Sequence, residues 1–470
     1  MSKIVLINPY PEYARGINEA IATPPLGLAY LAAVLEKNNH QVQIIDANIL
    51  RINSKMIARS FVFKPELIGI SVDIINYKEA MECAAAFKSC YPDAAILFGG
   101  PYCSSLAGSI LEKTSSVDAI VIGEGEKTLL EIAGASGNKN IFVNIKGVAY
   151  RDEIQVICNE PRPLIENLDE LPFPAYHLLP RLNIYRTRSR ARPVGYIITS
   201  RGCPYKCTFC NRNIFGDSWR PHSVNRVIAE IEYLVKRYGI RQLSILDDNF
   251  TFDMNRARQI LVLLRKRNFK LRIILHNGVR IDRMDEDLLL KMKEAGVFNI
   301  RFGIETANPD IQKRVRKTID LRRAISLTKT ARSLGIVTYG YFIIGLPGDS
   351  AKTMRQTIEF SINMNPHFAN FSICMPFPGT EIFEEIKKRG NFLEDVENGL
   401  DIGFFGGKVF FRLDSMEPQE ISAYFREAYK KFYLRPVKLI DVLSTIRSIG
   451  ELRWLCKVLK DTLKISFGII

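Results

Sequence analysis

Twice along this chain, short apolar strands alternate with helix-length segments, and that alternation constrains the fold more than any other feature. In the first third, "KIVLINP", "QVQIIDA", "LIGISVD", "AAILFGGP" and "AIVIGEGE" read as buried strands. Between the first two, "PPLGLAYLAAVLEKNNH" places apolar residues at helical spacing, and helical segments separate the others. The pattern points to an α/β domain with a parallel, doubly wound sheet, Rossmann- or flavodoxin-like. Such sheets take ligands at the carboxyl ends of their strands. The loops of interest are therefore residues 9–25, 71–76, 99–103 and 123–126.

A change comes near Gly137. "GVAYRDEIQVICNEPRPLIENLDELPFPAYHLLP" reads as a hairpin followed by a linker, and five prolines within residues 161–180 keep that linker extended. From Tyr196 the alternation resumes with "GYIITSRG", "QLSILDDN", "RIILHNGV", "FNIRFGIE", "VTYGYFIIGLPG" and "HFANFSICMPFPGT". Six βα units in a row suggest a full or partial (β/α) barrel, with its chemistry again at the carboxyl ends of the strands. The tail from about Pro418 is helical and basic. Ile449, Leu452, Cys456, Leu459 and Leu463 follow helical spacing beside a stripe of Arg453, Lys457, Lys460 and Lys464. Such a face suits either an anionic membrane surface or docking onto the protein's own body.

The chain of 470 residues has room for two or three domains and carries a formal charge of +15. Residues 181–241 hold 13 Lys/Arg against 3 Asp/Glu, and residues 430–470 hold 9 against 3. No helix-turn-helix, zinc-finger or RNA-binding signature accompanies that charge, so no nucleic acid is expected. An anionic substrate, an anionic membrane and simple solubility remain as explanations. No apolar run reaches the ~20 residues of a membrane span. The start, "MSKIVLINPYPEY", has no signal-peptide character. A cytoplasmic protein is expected, with peripheral membrane contact through the tail as the variant of that reading.

Three of the nine cysteines, Cys203, Cys207 and Cys210, fall within "CPYKCTFC", directly after the first strand of the second set. The other six are scattered, as suits a reducing compartment. Structural zinc wants four ligands, and neither a second Cys pair nor a His at finger spacing follows. An electron-transfer cluster also wants four thiolates. A cubane held by three protein thiolates leaves one iron open to a substrate or cofactor.

"CPYKCTFC" resembles the C-x3-C-x2-C signature of the radical SAM family, with Phe209 before the last cysteine. The resemblance implies a [4Fe–4S] cluster on Cys203, Cys207 and Cys210 whose open iron is chelated by S-adenosylmethionine. Reductive cleavage would then yield a 5′-deoxyadenosyl radical. It also implies roles for motifs that follow in order. Asp247, Asp248 and Asn249 in "LDDNFTFD" would meet the methionine amino group, although such residues before a helix also serve as caps. Arg280 in "NGVRID" would meet the carboxylate, and Glu305 in "RFGIET" the ribose hydroxyls. Gly345, Pro347 and Gly348 in "GLPGDS" would turn the backbone near the adenine, and "MPFPGT" after the last strand is likewise familiar in position.

The first third resembles the cobalamin-binding domain joined to one large radical SAM subclass, through "PPLGLAYLAAVLE", "GGPYCS" and "GEGE", with "LPFP" in the linker. Gly99, Gly100, Gly123 and Gly125 would let the backbone approach a flat cofactor; Thr23, Leu26, Gly27, Ser71 and Glu124 are further cofactor-binding candidates. The Asp-x-His-x-x-Gly motif that supplies a lower cobalt ligand is missing, and His40 is the only histidine in the first 170 residues. Histidine is therefore not expected on the cobalt. The expected boundaries are a cobalamin-binding domain over 1–140, a hairpin and proline-rich linker over 141–190, a radical SAM partial TIM barrel over 191–415 and a helical extension over 416–470.

The resemblance implies a C-methyltransferase that draws on S-adenosylmethionine twice, as methyl source through methylcobalamin and as radical source. The acceptor would be an unactivated carbon of a small hydrophobic molecule such as a hopanoid, another lipid or a tetrapyrrole. An external electron donor of the flavodoxin or ferredoxin type would feed the cluster. The alternative is an oxidative cyclase or rearrangement enzyme, of the anaerobic magnesium-protoporphyrin ester cyclase type. Tyr339, Tyr341 and Cys374 lie at or near strand ends, where they would face substrate or pack into the core.

Overall fold

A computed structural model of the chain describes residues 1–11, 23–135, 141–153, 155–185, 189–393, 407–466 and 468. Gly137 and much of the loop over residues 9–25 lie outside the described residues. The chain divides into two units: Met1–Thr187 with Asn211–Arg220, and a second made chiefly of Arg188–Cys210, Pro221–Glu394 and Ile402–Ile470.

The first unit is a seven-stranded sheet. Its parallel part comprises β1 (Lys3–Asn8), β2 (Gln41–Asp46), β3 (Leu67–Ser71), β4 (Ala95–Gly99) and β5 (Ala119–Val121), in the order β2-β1-β3-β4-β5. That is the flavodoxin-like doubly wound order, whose switch point lies between β1 and β3. Both faces are covered, so the strands are apolar throughout: Ile4, Val5, Leu6 and Ile7 are all fully buried. The hairpin β6 (Val148–Asp152) and β7 (Gln155–Cys158) adds antiparallel to β5 and supplies the hydrogen-bonding groups that this edge would otherwise expose.

The second unit contains β8 (Val194–Ile197), the two-residue β9 (Ser200–Arg201) and, at its border, β10 (Arg220–Pro221). Five further strands follow: β11 (Gln242–Ile245), β12 (Arg272–Leu275), β13 (Val297–Glu305), β14 (Val337–Ile344) and β15 (Phe368–Ile373). The order β8-β11-β12-β13-β14-β15 follows the chain and every neighbour is parallel, which is the winding of a partial (β/α) barrel. On β13 and β14, buried residues alternate with half-buried ones: Ile300, Phe302 and Ile304 point to the helical layer, while Arg301, Gly303 and Glu305 face the concave side.

The helix Pro418–Tyr433 packs on β15, where Tyr433 Oη donates to the Ala369 carbonyl at 2.7 Å. The last helix, Ile449–Ser466, docks by a face of its own. Glu451 is fully buried and pairs with Arg190 at 3.1 Å, Trp454 meets Phe368 edge-on, and Leu455, Thr462 and Ile465 are buried. The stripe picked out by hydrophobicity is the other one: Ile449, Leu452, Cys456 and Leu463 are exposed and Leu459 half-buried. Among the described residues, no helix is long and apolar enough to cross a membrane.

Candidate active site

The cysteine loop begins where β8 and β9 end, at the carboxyl edge of the barrel sheet. Gly202 turns the chain at φ +79°, and the contacts of three residues, Thr208, Phe209 and Tyr205, then hold the loop. Thr208 N–H donates to the Val315 carbonyl and Ile382 N–H donates to the Thr208 carbonyl, both at 3.2 Å. Phe209 packs into an apolar cluster containing Ile311, Val315, Leu346, Cys374 and Ile382. Tyr205 lies under the Arg280 guanidinium at 3.7 Å and accepts from Arg283 Nε at 2.7 Å. The positions of all three thiols are therefore set by neighbours outside the loop.

The thiols differ in electrostatics. Burial pushes the Cys203 thiol up. Cys207 is pushed down, first by a hydrogen bond from the Cys210 thiol and then by the charges of Lys317 and Arg280. Cys210, the donor in that bond, is pushed up. Cations beside adjacent thiols favour thiolate, the form that binds iron. Among the described residues, no three His, Cys, Asp or Glu groups converge on one point as a single metal ion requires. A cubane has no such need, because each thiolate takes its own iron.

The acidic loop after β11 separates two neighbouring carboxylates. Asp247 is buried and saturated: it accepts from Thr199 N–H at 2.6 Å, Thr199 Oγ1 at 2.5 Å and Ser200 Oγ at 2.6 Å. It braces the approach to the cysteine loop. Asp248 is open to solvent yet set in a recess of protein; it accepts from Gly202 N–H at 3.2 Å. Its carboxyl is pushed up to about 6, by desolvation within that recess and then by the charge of Asp247. Among the described residues, the buried Asn249 has neither amide atom hydrogen-bonded, and the buried Thr251 hydroxyl is likewise unpartnered. Unmet buried polar groups cost about 1–3 kcal/mol each, so they mark where a polar ligand fits.

Glu305 ends β13 at φ +65°, beside a register shift against β14. Its Oε1 meets Lys317 Nζ at 2.6 Å, and Lys317 lies 5.9 Å from the centre of the Phe209 ring. Although burial works against it, the Lys317 charge is held by Glu305 and by Cys207 and Cys210. Lys317 has no signal in the sequence, being one Lys in "RVRKTI"; only the fold brings it beside the thiols. Arg280 is paired with Asp282 at 3.0 Å and its Nη2 reaches the Thr318 carbonyl at 3.4 Å, while its buried Nη1 is unpartnered among the described residues. Gly345 and Gly348 take φ +77° and +88°, and Pro347 is buried in a turn that Asp349 closes by accepting from Leu346 N–H at 2.9 Å. This turn also starts the helix Ala351–Met364.

In the first unit, Ser71, Gly99 and Gly100 lie at the carboxyl ends of β3 and β4, and Gly123, Glu124 and Gly125 follow β5. Thr23 and Leu26 lead into the helix Leu26–Lys37, with Leu26 buried against the core. The glycines serve different ends. Gly100 is needed by its own backbone: at φ +124° a Cβ would sit 2.4 Å from the Val72 carbonyl oxygen. Among the described residues, a Cβ at Gly27 would meet nothing within 4 Å and one at Gly99 nothing closer than 3.8 Å, so the backbone is open to close approach at both. Glu124 is occupied structurally, accepting from Arg220 Nη1 at 2.9 Å and from Ile165 N–H at 2.8 Å. His40 precedes β2, at the amino edge of the sheet, where Nδ1 accepts from Ser2 N–H.

Residues 197–361 match the family model of the radical SAM superfamily, and residues 20–133 match that of the B12 binding domain. Over 93% of its length the chain is 34% identical to an uncharacterised methyltransferase of Pyrococcus horikoshii, covering 94% of that protein. It belongs to the cobalamin-binding radical SAM family. It is 30% identical to the cytidylyl-2-hydroxyethylphosphonate methyltransferase of Streptomyces wedmorensis, over 84% of this chain and 83% of that one. The anaerobic magnesium-protoporphyrin IX monomethyl ester cyclase of Rubrivivax gelatinosus is 27% identical over 80% of this chain and 69% of its own. In fold the chain is similar to the radical S-adenosylmethionine methyltransferase TsrM of Kitasatospora setae, solved with cobalamin and a [4Fe–4S] cluster (TM-score 0.73, 19% identity, 93% and 92% of the two chains). The cobalamin-dependent radical enzyme OxsB gives a TM-score of 0.76 at 17% identity, over 99% of this chain and 72% of that one. As a member of this family, the chain is a radical SAM enzyme that takes a [4Fe–4S] cluster, S-adenosylmethionine and cobalamin, and it needs an electron donor.

Proposed function

We propose that this enzyme is a C-methyltransferase. The observation that carries the reading is the cluster of the cysteine loop, Asp248, Asn249 and the Glu305–Lys317 pair at one edge of the barrel sheet. Its resemblance along nearly the whole chain to proteins named methyltransferases supports the choice of reaction. When bound, the cluster with S-adenosylmethionine supplies a carbon-centred radical, and cobalamin supplies an activated methyl group. The residues of the chain bind and orient. Cys203, Cys207 and Cys210 hold three irons. Asp248 takes the ammonium of S-adenosylmethionine and Lys317, with Arg280 Nη1, its carboxylate. Glu305 would accept from ribose hydroxyls, and the turn at Gly345 and Pro347 would lie near the adenine. Asp247 positions the loop and does not touch the cofactor. In the first unit, Ser71, Gly99 and Gly27 would line the cobalamin site with Thr23 and Gly123.

The donor is a one-electron carrier of the flavodoxin or ferredoxin type. The exposed stripe Ile449, Leu452 and Leu463, with Arg453 and Lys460 beside it, lies on an anionic membrane surface, where a hydrophobic acceptor partitions. A second reading, oxidative cyclisation, is favoured by the similarity to the ester cyclases.

The deciding experiment is a single turnover of the anaerobically loaded enzyme with a strong reductant and no acceptor. Near-stoichiometric S-adenosylhomocysteine per bound cobalt is the expected result. Exclusive formation of 5′-deoxyadenosine would reject methyl transfer in favour of cyclisation.

A further inference from the structure

The concave side of the barrel sheet contains a cation that the cofactor chemistry does not use. Arg301 stands on β13, four residues and thus about 13 Å along the strand from Glu305, towards the amino end. Its Nη1 uses both hydrogens within the protein, donating to the His276 carbonyl at 2.7 Å and to Tyr341 Oη at 2.9 Å. Its Nε is buried and unpartnered, and Nη2 makes no hydrogen bond among the described residues. No carboxylate pairs with it there. The Nε–Nη2 edge that remains is the side of a guanidinium that matches two oxygens of a carboxylate or phosphonate.

The surroundings sharpen this. Tyr339 lies under the guanidinium at 5.4 Å and stacks on Phe368 at 4.7 Å, so one side is aromatic and dry. The Tyr341 hydroxyl accepts from Arg301 and keeps its own proton to donate. His276, beside Arg301, is held neutral by burial and then by the Arg301 charge, its pKa lowered to about 3. On the same face of β13, Asn299 is wholly buried with both amide atoms unpartnered. Arg301 is half-buried, and its buried Nε–H, unmet among the described residues, costs free energy until an acceptor meets it.

We propose that Arg301 and Tyr341 form the acceptor's anchoring subsite, binding an anionic group, carboxylate or phosphonate, on the molecule that is methylated. The inference rests on the reading of the barrel edge as the radical-generating site, and it adds a charged end to an otherwise apolar acceptor. The test is calorimetric titration of the cluster- and cobalamin-loaded enzyme with propionate, ethylphosphonate and the neutral propanamide. At least one anion should bind and propanamide should not, the tighter anion identifying the group. Arg301→Gln should weaken that anion about tenfold or more and Tyr341→Phe about threefold, as loss of charge-assisted hydrogen bonds implies. Tyr341→Phe carries the test alone if the arginine variant fails to fold. The proposal is overturned if neither anion binds, if propanamide binds equally, if neither substitution matters, or if S-adenosylmethionine displaces the anion competitively. S-adenosylhomocysteine formation is measured in parallel. Anion binding without that product would remove the methyltransferase reading and leave the subsite standing.

Discussion

At Gly303 a hydrogen stands where a side chain would be, and the Glu305–Lys317 ion pair occupies that room. A Cβ there would lie 2.7 Å from Glu305 Oε1 and 2.8 Å from Lys317 Nζ. Gly303→Ala should therefore displace the pair and weaken S-adenosylmethionine binding about tenfold, while unfolding free energy moves by about 1 kcal/mol or less. Unchanged affinity by calorimetry would take the pair out of the cofactor site. A second residue sets a pH dependence. Asp46, buried and accepting from Tyr185 Oη at 2.8 Å, has its carboxyl pushed up to about 6, chiefly by desolvation. The folded chain thus keeps a proton that the unfolded chain releases near pH 4. Stability from this group is present at low pH and lost as pH rises from about 4 to about 6, by up to ~3 kcal/mol. Asp46→Asn should flatten that part of the stability curve, read by denaturant titration at several pH values. At this scale the sequence was only partly legible. It named Asp247, Asp248 and Glu124 alike, and the tertiary contacts of Thr199, Ser200 and Arg220 make two of the three structural. Lys317 and Arg301 carry no mark in the sequence, because nothing in local spacing sets them apart.

The last helix shows the same division one level up. Its helical period was plain in the sequence, as were all eleven strands named there, because apolar runs bounded by Gly, Pro and Asn state their own limits. Its buried face was not. Hydrophobicity favours Ile449, Leu452 and Leu463, whereas the docked face carries Glu451, whose burial makes sense only with Arg190, 261 residues away in the chain. Arg190 also reaches the Thr445 carbonyl at 2.8 Å and stacks over Phe298 at 4.5 Å, so the guanidinium joins the last helix, the turn before it and β13. Removing one member of a buried pair leaves the other charge uncompensated. Glu451→Ala should cost about 3 kcal/mol, with hydrogen exchange rising across residues 449–466 first. Protection equal to wild type would show that the pair does not hold the helix.

Over the whole molecule, the formal charge of +15 and the exposed apolar stripe act together only if something anionic meets them. Co-sedimentation should increase with vesicles containing phosphatidylglycerol, fall with salt, and be absent with pure phosphatidylcholine. Leu452→Asp with Leu463→Asp should abolish it, both side chains being exposed; undiminished binding would place the contact elsewhere. The two-unit plan and its cofactors were legible because motif order survives where identity is low. The acceptor was not, because its recess is assembled from strands whose inward residues resemble any half-buried strand. Val315 and Ile382 hold Thr208 through backbone bonds, and Tyr205 and Phe209 are wedged by residues that bind no iron. Because these contacts need no bound cluster, a chain that has lost its irons should keep its three thiols in place, and iron, sulfide and a thiol reductant should restore the cluster without unfolding.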